Sequence, residues 1–360
     1  MRVMILANFD VGLYQFRKEL IEELLKENEV IISLPYGELV EPLKEMGCKF
    51  IDTPVDRRGI NPITDFALFR EYRKLLKQEK PDLVITYTIK PNVYGGYACR
   101  LANVPYAINI TGLGTAFENG GFLKVIATVL NRVACKKAKV VFFENEGNRQ
   151  VFIKERIVKE SQTHRLNGAG VNIERFSISQ YPSGAKTKFL FMGRVMAEKG
   201  INELFDAMQR LIMEGFNCEL DVLGGYEEDF KEKIEKYEAE GWLHYHGYQK
   251  NVKPFIDSSH CFVLPSWHEG MANTNLESAA SGRPVITSNI PGCKESVVDR
   301  VSGYLVNKKD SNDLYLKMKA FIQLTFEDRR NMGLAGRKHM EEVFDKKKVV
   351  DETLHKIFEG

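Results

Sequence analysis

The chain has 360 residues, 44% of them hydrophobic and 28% charged, the balance of a soluble globular protein long enough for two domains with separate cores. A net charge of +2 argues against nucleic acid as the main partner, because duplex binders carry a strong basic excess. No run of 18 or more apolar residues occurs, so no transmembrane helix is expected.

Met1 to Ala7 reads as a first strand, since the apolar stretch is too short for a signal peptide and no cleavage site follows it. Further strand-like runs in the first half lie near Val30 to Leu34, Lys49 to Ile51, Leu83 to Thr86, Tyr106 to Ile110, Val140 to Glu144 and His164 to Asn167. Amphipathic helical stretches such as Tyr14 to Lys26 and Ile63 to Lys80 separate them, which predicts crossover units and a parallel sheet covered on both faces. Asn8 to Gln15 leaves the first strand with Gly12 ahead of a helix, where the missing Cβ lets backbone approach a ligand or simply makes a tight turn. Lys90 and Asn92 follow the fourth strand, and Thr111 and Gly112 the fifth, at carboxyl ends where open sheets bind ligands. Arg57 and Arg58 form either a charged loop or an anion site. Phe122 to Lys139 combines apolar residues with Lys136, Lys137 and Lys139; it reads as a core-facing helix with a basic end or as one lying on an anionic membrane surface. The six cysteines, Cys48, Cys99, Cys135, Cys218, Cys261 and Cys293, include no CxxC pair and fit a reduced cytosolic compartment.

Ser177, Ser179, Pro182, Ser183 and Gly184 gather between Arg175 and Lys186, which places the domain break there: 1–175, then 176–345, with a last helical stretch ending the chain. Strands in the second half are expected near Lys188 to Met192, Glu219 to Leu223, Leu243 to His246, Cys261 to Leu264, Val285 to Thr287 and Tyr304 to Leu305. The first of them runs into Gly193-Arg194-Val195-Met196-Ala197-Glu198-Lys199-Gly200 and so delivers Arg194 and Lys199 at a strand end. The run Cys261 to Leu264 stops at Pro265-Ser266; Glu269 follows in a loop beside Gly270, and Glu277 lies eight positions on, in a helix that Asn273 or Thr274 could cap. A continuous helix would leave those two carboxylates roughly 80° apart. A loop followed by a helix start instead points one carboxylate and several backbone N–H groups into one place, which suits an anionic ligand that carries hydroxyls. The plain alternative is two solvated glutamates.

A strand followed by G-R-x4-K-G, and about seventy residues later P-S-x-x-E-G-x6-E, resembles the retaining glycosyltransferases of family 4, which have the GT-B fold. Val222-Leu223-Gly224-Gly225, His246-Gly247-Tyr248, and Gly282-Arg283-Pro284-Val285-Ile286 with Pro291-Gly292 extend the match, and their order and spacing carry it where one motif alone would not. The resemblance implies an α/β molecule of two doubly wound Rossmann-like domains facing a cleft, with the terminal helix, 346–360, crossing back onto the first. It implies that Arg194 and Lys199 neutralise a leaving diphosphate, that Glu269 and Gly270, Met271, Ala272 and Asn273 hold the donor sugar, and that Glu277 holds the ribose. Tyr248 and Val252 would line the base pocket, with Gly193, Gly224 and Gly12 allowing close approach. Many relatives carry a histidine after one of the N-terminal strands; this chain has Thr88 and Thr111 there, which resembles the branch that extends polyprenyl-diphosphate-linked, capsular or exopolysaccharide saccharides.

The reading that follows is transfer of a hexose or N-acetylhexosamine from a nucleotide sugar, with UDP as the expected carrier, to a lipid-linked or polysaccharide acceptor. The acceptor side would involve Arg57, Arg58, Lys90, Thr111 and Gly112, at the inner face of the plasma membrane or in the cytoplasm. No cofactor and no metal are expected: Asp-x-Asp is absent, the dinucleotide fingerprint and the P-loop are incomplete, and His244 with His246 reads better as a half-buried strand than as a metal pair. Two other readings stand beside it. A sugar-nucleotide epimerase of the same fold would need acid and base groups that the first half does not offer. A non-catalytic assembly scaffold would be favoured by loss of the Arg, Lys and Glu positions, all of which are present.

Overall fold

The computed structural model of the chain describes residues 1–56, 61–114, 117 and 121–359. Contacts divide it into two units, residues 1–169 with 347–360, and residues 170–346.

The first unit alternates β1 (Arg2–Leu6), α1 (Asp10–Leu25), β2 (Glu29–Leu34), α2 (Val40–Glu45), β3 (Lys49–Asp52), α3 (Pro62–Glu79) and β4 (Leu83–Tyr87). A π-helical turn, Pro91–Gly95, leads into α4 (Gly96–Ala102), followed by β5 (Tyr106–Ile110), α5 (Gly121–Cys135), β6 (Val140–Phe143), α6 (Glu146–Lys154) and β7 (Thr163–Arg165). The strands pair in parallel in the order β3-β2-β1-β4-β5-β6-β7. The central strands are apolar on both faces, and both are covered: Val3 and Ile5 pack with Leu20, Ile21 and Val349, while Met4 and Leu6 pack with Leu68 and Tyr72. Asn61 caps α3 by accepting from the Ile63 N–H at 3.0 Å, with Pro62 in the first turn, where its missing N–H costs nothing.

Helix α1 begins four residues earlier than its sequence pattern predicts, and the reason is Asp10. Its carboxylate accepts from the Val11 N–H at 2.9 Å and from the Leu39 N–H at 2.7 Å, satisfying a first-turn donor and complementing the helix dipole. Gly12 is therefore inside the first helical turn, and a Cβ there would meet the Phe9 ring at 3.1 Å; it does not form the loop expected for it.

The second unit runs β8 (Thr187–Met192), α7 (Ile201–Met213), β9 (Cys218–Leu223), α8 (Lys231–Ala239), β10 (Leu243–Gly247), α9 (Lys253–Ser258), β11 (Cys261–Leu264) and α10 (Asn273–Ala280). It closes with β12 (Val285–Ser288), β13 (Gly303–Val306), α11 (Ser311–Gln323) and α12 (Phe326–His339), after which α13 (Lys346–Phe358) returns to the first unit. The sheet is parallel, in the order β10-β9-β8-β11-β12-β13, around a core that includes Phe189, Phe191, Phe205 and Phe262. The division between units falls at 169/170, ahead of the serine- and proline-rich stretch. Val171 is already stitched into the second unit, donating to the Phe344 carbonyl at 2.8 Å and accepting from the Lys346 N–H at 3.0 Å, and Phe176 is in its core. The strands expected from the sequence all lie in these two sheets. Among the described residues no helix is long and apolar enough to cross a membrane.

Candidate functional site

In the second sheet the strand order reverses between β8 and β11, so the loops leaving those strands diverge and open a crevice beyond their carboxyl ends. The loop after β8 carries Gly193, Arg194 and Lys199; the loop after β11 carries Ser266 and Glu269. Backbone contact holds the two together. Gly200 has φ +73° and a Cβ on it would lie 2.1 Å from the Pro265 carbonyl oxygen, so the position demands glycine. The Trp267 N–H donates to the Glu198 carbonyl at 2.9 Å.

Side chains complete the junction. Lys199 Nζ lies 2.5 Å from Glu269 Oε1, and the Ser266 hydroxyl donates to the same oxygen at 2.8 Å. One Glu269 oxygen is thus doubly held while Oε2 takes neither bond, and among the described residues Lys199 uses one of its three donors. Arg194 reaches outward, 57% exposed, with its guanidinium 3.6 Å from Glu227. It is the more accessible of the two cations.

Helix α10 starts at Asn273, with Ala272 in the capping position and no side-chain cap; neither Asn273 nor Thr274 plays that part. Met271 and Ala272 are buried. The Ala272 N–H is committed to the Gly292 carbonyl at 2.8 Å and the Asn273 N–H to the Met271 carbonyl at 3.0 Å, so these two amides are not open to a ligand as expected. Gly292 packs so closely that a Cβ would sit 2.6 Å from the carbonyl oxygens of Glu269 and Gly270. The Asn273 side-chain oxygen is buried without a partner among the described residues.

Glu277, on the second turn of α10, is half-buried, and no side-chain bond to its carboxyl is found among the described residues. Burial pushes it up to about 7, against the pull of Arg175 and Lys346. A half-buried carboxyl whose surroundings disfavour its charge, and which has no hydrogen-bond partner among the described residues, is one that a pair of ligand hydroxyls would satisfy.

At the neighbouring strand ends Gly224, φ +142°, follows β9, and a Cβ there would lie 1.8 Å from the Gly193 carbonyl oxygen. The two glycines let the ends of β8 and β9 touch. Tyr248 is exposed and Val252 packs partly against the core at the start of α9. His246 is tied to Asp221 at 2.9 Å and His244 lies 3.5 Å from Glu219; among the described residues no group of three metal-binding side chains is found.

In the first unit, Thr111 and Gly112 leave β5 half-exposed, and a Cβ on Gly112 would meet nothing within 4 Å among the described residues. Lys90, expected on the acceptor side, is paired within the first unit: its ammonium lies 2.8 Å from buried Asp65 and 4.0 Å from Asp56. Thr88, a β-branched residue, has φ +72°, a strained conformation at the end of β4. Arg57 and Arg58 lie outside the described residues. Sequence reading missed Glu227 as the partner of Arg194 and the commitment of Lys90 to Asp65, because both depend on contacts across the fold with no fixed spacing to reveal them.

Comparison with known proteins bears on the family and the fold. The profile of Glycosyl transferases group 1 matches residues 173–339 and that of Glycosyl transferase 4-like matches residues 2–145. Among curated proteins, the N,N'-diacetylbacillosaminyl-diphospho-undecaprenol alpha-1,3-N-acetylgalactosaminyltransferase of Campylobacter jejuni is 25% identical over 90% of each chain. The UDP-Gal:alpha-D-GlcNAc-diphosphoundecaprenol alpha-1,3-galactosyltransferase of Escherichia coli is 28% identical, covering 84% of this chain and 82% of its own. Among solved structures, Anabaena Alr3699/HepE in complex with UDP and glucose superposes with a TM-score of 0.83 over 100% of both chains at 15% identity. A glycosyltransferase from Rickettsia africae gives 0.81 over 99% and 98% at 17%. At those identities the structural likeness speaks for the fold.

Proposed function

Because the chain belongs to glycosyltransferase family 4, we propose that it moves a hexose or N-acetylhexosamine from a UDP-sugar to a lipid-linked or capsular saccharide, with retention of configuration and without a metal ion. The observation that carries this reading is the set of groups at the β8/β11 switch point: Lys199 paired with Glu269, Arg194 exposed in the same loop as Lys199, and Glu277 on the second turn of α10 with no side-chain hydrogen bond to its carboxyl among the described residues.

Breaking the sugar C1–O bond leaves negative charge on the departing diphosphate. Arg194 and the uncommitted donors of Lys199 would neutralise it, and donors placed where charge develops are worth more than donors that bind the ground state. Glu269, oriented by Lys199 and Ser266, would accept from a donor-sugar hydroxyl through Oε2, and Glu277 would accept from the ribose. The acceptor oxygen attacks C1 on the face that the diphosphate leaves, and its proton passes to the leaving phosphate oxygen, so no separate base is required. Two curated relatives act, by name, on undecaprenyl-diphosphate-linked sugars, which supports an acceptor of that class.

A membrane-facing role for α5 belongs to the same reading. Phe122, Leu123, Val125 and Val129 are exposed on it, and Lys136 and Lys139 are exposed just beyond its end. Such a surface suits anionic lipid and would place the enzyme beside a polyprenyl-linked acceptor.

The test is a thermal-shift comparison of UDP-, GDP- and ADP-sugars, followed by product analysis on short polyprenyl-diphosphate-linked saccharides. Transfer predicts stabilisation by a UDP-sugar and UDP release that requires acceptor. UDP release without acceptor would favour the epimerase reading, and a panel with no stabilising nucleotide sugar would sink the proposal.

A further inference from the structure

We propose that Trp267 is a positioning residue for the Lys199–Glu269 pair, holding the two donor-side loops in register through Glu203 and Lys309; this rests on the functional reading above. Trp267 lies between Ser266 and Glu269 in the loop after β11. Its indole N–H donates to Glu203 Oε1 at 3.0 Å, and Glu203 stands in the first turn of α7, four residues after Lys199. Its backbone N–H donates to the Glu198 carbonyl, and the next residue, His268, reaches the Glu198 carboxylate at 3.3 Å. The ammonium of Lys309, in the turn between β13 and α11, sits 3.9 Å over the indole ring. That turn is itself held in a left-handed conformation, with Lys309 at φ +61°.

Three segments therefore converge on one half-buried ring, which lies in sequence between the two groups proposed to meet the leaving diphosphate and the donor sugar. The second oxygen of Glu203 is buried with no partner among the described residues. A purely structural contact would be more stable with that oxygen satisfied or replaced, so the carboxylate is kept at a cost. The ring and its ammonium cap give rigidity with few rotatable bonds, as a site demanding sub-ångström placement requires. Losing the indole N–H frees the loop bearing Glu269 from α7, and the Lys199–Glu269 contact loosens although neither residue has changed.

The experiment measures kcat and donor KM on the full chain for Trp267→Phe, Lys309→Met, Glu203→Gln and Glu203→Ala. Trp267→Phe, which keeps a ring without the N–H, should lower kcat about tenfold to a hundredfold, while donor KM moves by less than about threefold. Glu203→Ala should follow it. Glu203→Gln, which keeps an acceptor oxygen for the indole, should stay within about threefold of wild type, and Lys309→Met should lose about threefold to tenfold in kcat. Trp267 is one of only two tryptophans, so with Trp242→Phe as background its emission should change saturably when UDP is added. A folded Trp267→Phe with wild-type kcat overturns the inference alone, as does emission that ignores saturating UDP. If Trp267→Phe does not fold, unchanged kcat in both Lys309→Met and Glu203→Ala overturns it equally. A wild-type enzyme that turns over no nucleotide sugar overturns the functional reading and this inference with it.

Discussion

Glu277 ties the electrostatics of the site to pH. Its carboxyl is raised by burial to about 7, so it is largely neutral at pH 6 and largely ionised at pH 8. Only the ionised form offers every lone pair to ribose hydroxyls, so donor KM should fall about tenfold between those pH values, and Glu277→Gln should flatten the profile at a higher KM. The stability of the nucleotide-free protein runs the other way. A carboxyl whose folded value lies above its ordinary 4.5 contributes stability that is complete below that value and lost as pH rises through 7. Glu277→Gln should therefore remove a decline in thermal midpoint between pH 4.5 and 7. A donor KM that is flat with pH in the wild type would contradict the ribose assignment.

At the scale of elements, close approach of strand ends builds the site, and glycines permit it. Gly224→Ala would drive a Cβ to 1.8 Å from the Gly193 carbonyl oxygen at φ +142°, so the ends of β8 and β9 must separate. A loss of about 2 kcal/mol or more, visible as a drop of several degrees in Tm, is expected together with weaker nucleotide binding. An unchanged Tm would show that the loops tolerate separation. Helix α5 carries a second prediction: Phe122→Ser with Val125→Ser should reduce co-sedimentation with anionic vesicles, and wild type should show little binding to neutral ones. Equal binding of wild type and variant to both would remove the membrane assignment.

These elements also show how far the sequence could be read. Apolar runs such as Phe189 to Met192 and Cys261 to Leu264 announce buried parallel strands because both faces are covered, and Gly193 after the first and Pro265 after the second mark their exits. Helix α1 was less legible at its start, since Asp10 is stabilised by the Leu39 amide, twenty-nine residues away. The cap of α10 misled for a related reason: Asn273 and Thr274 have the right chemistry, but the chain enters the helix at Ala272, already fixed by Gly292. Arg194, Lys199 and Glu269 were visible as residue types after strand ends, and Glu277 as one in the helix that follows. Which of them are paired, and that Lys90 is held by Asp65, depended on tertiary contacts.

On the scale of the whole molecule, the chain builds two parallel sheets of the same design, each with a point where strand order reverses, between β1 and β4 and between β8 and β11. It passes from the first unit at Ala169 and returns at Lys347, so its last helix completes the unit its first strand began, with Val349, Val350 and Ile357 in that core. The second unit gathers the cations Arg194 and Lys199 at its switch point, in a chain that lacks the Asp-x-Asp pattern of metal-clamped diphosphate sites. The central claim is that those cations, and no divalent ion, stabilise the departing diphosphate. Its most direct test is kcat of the Lys199→Ala variant against wild type, both assayed in EDTA. The account predicts that wild type keeps its rate and that the variant falls on the order of a hundredfold or more; abolition of wild-type activity by the chelator, or a near-normal rate in the variant, would contradict it.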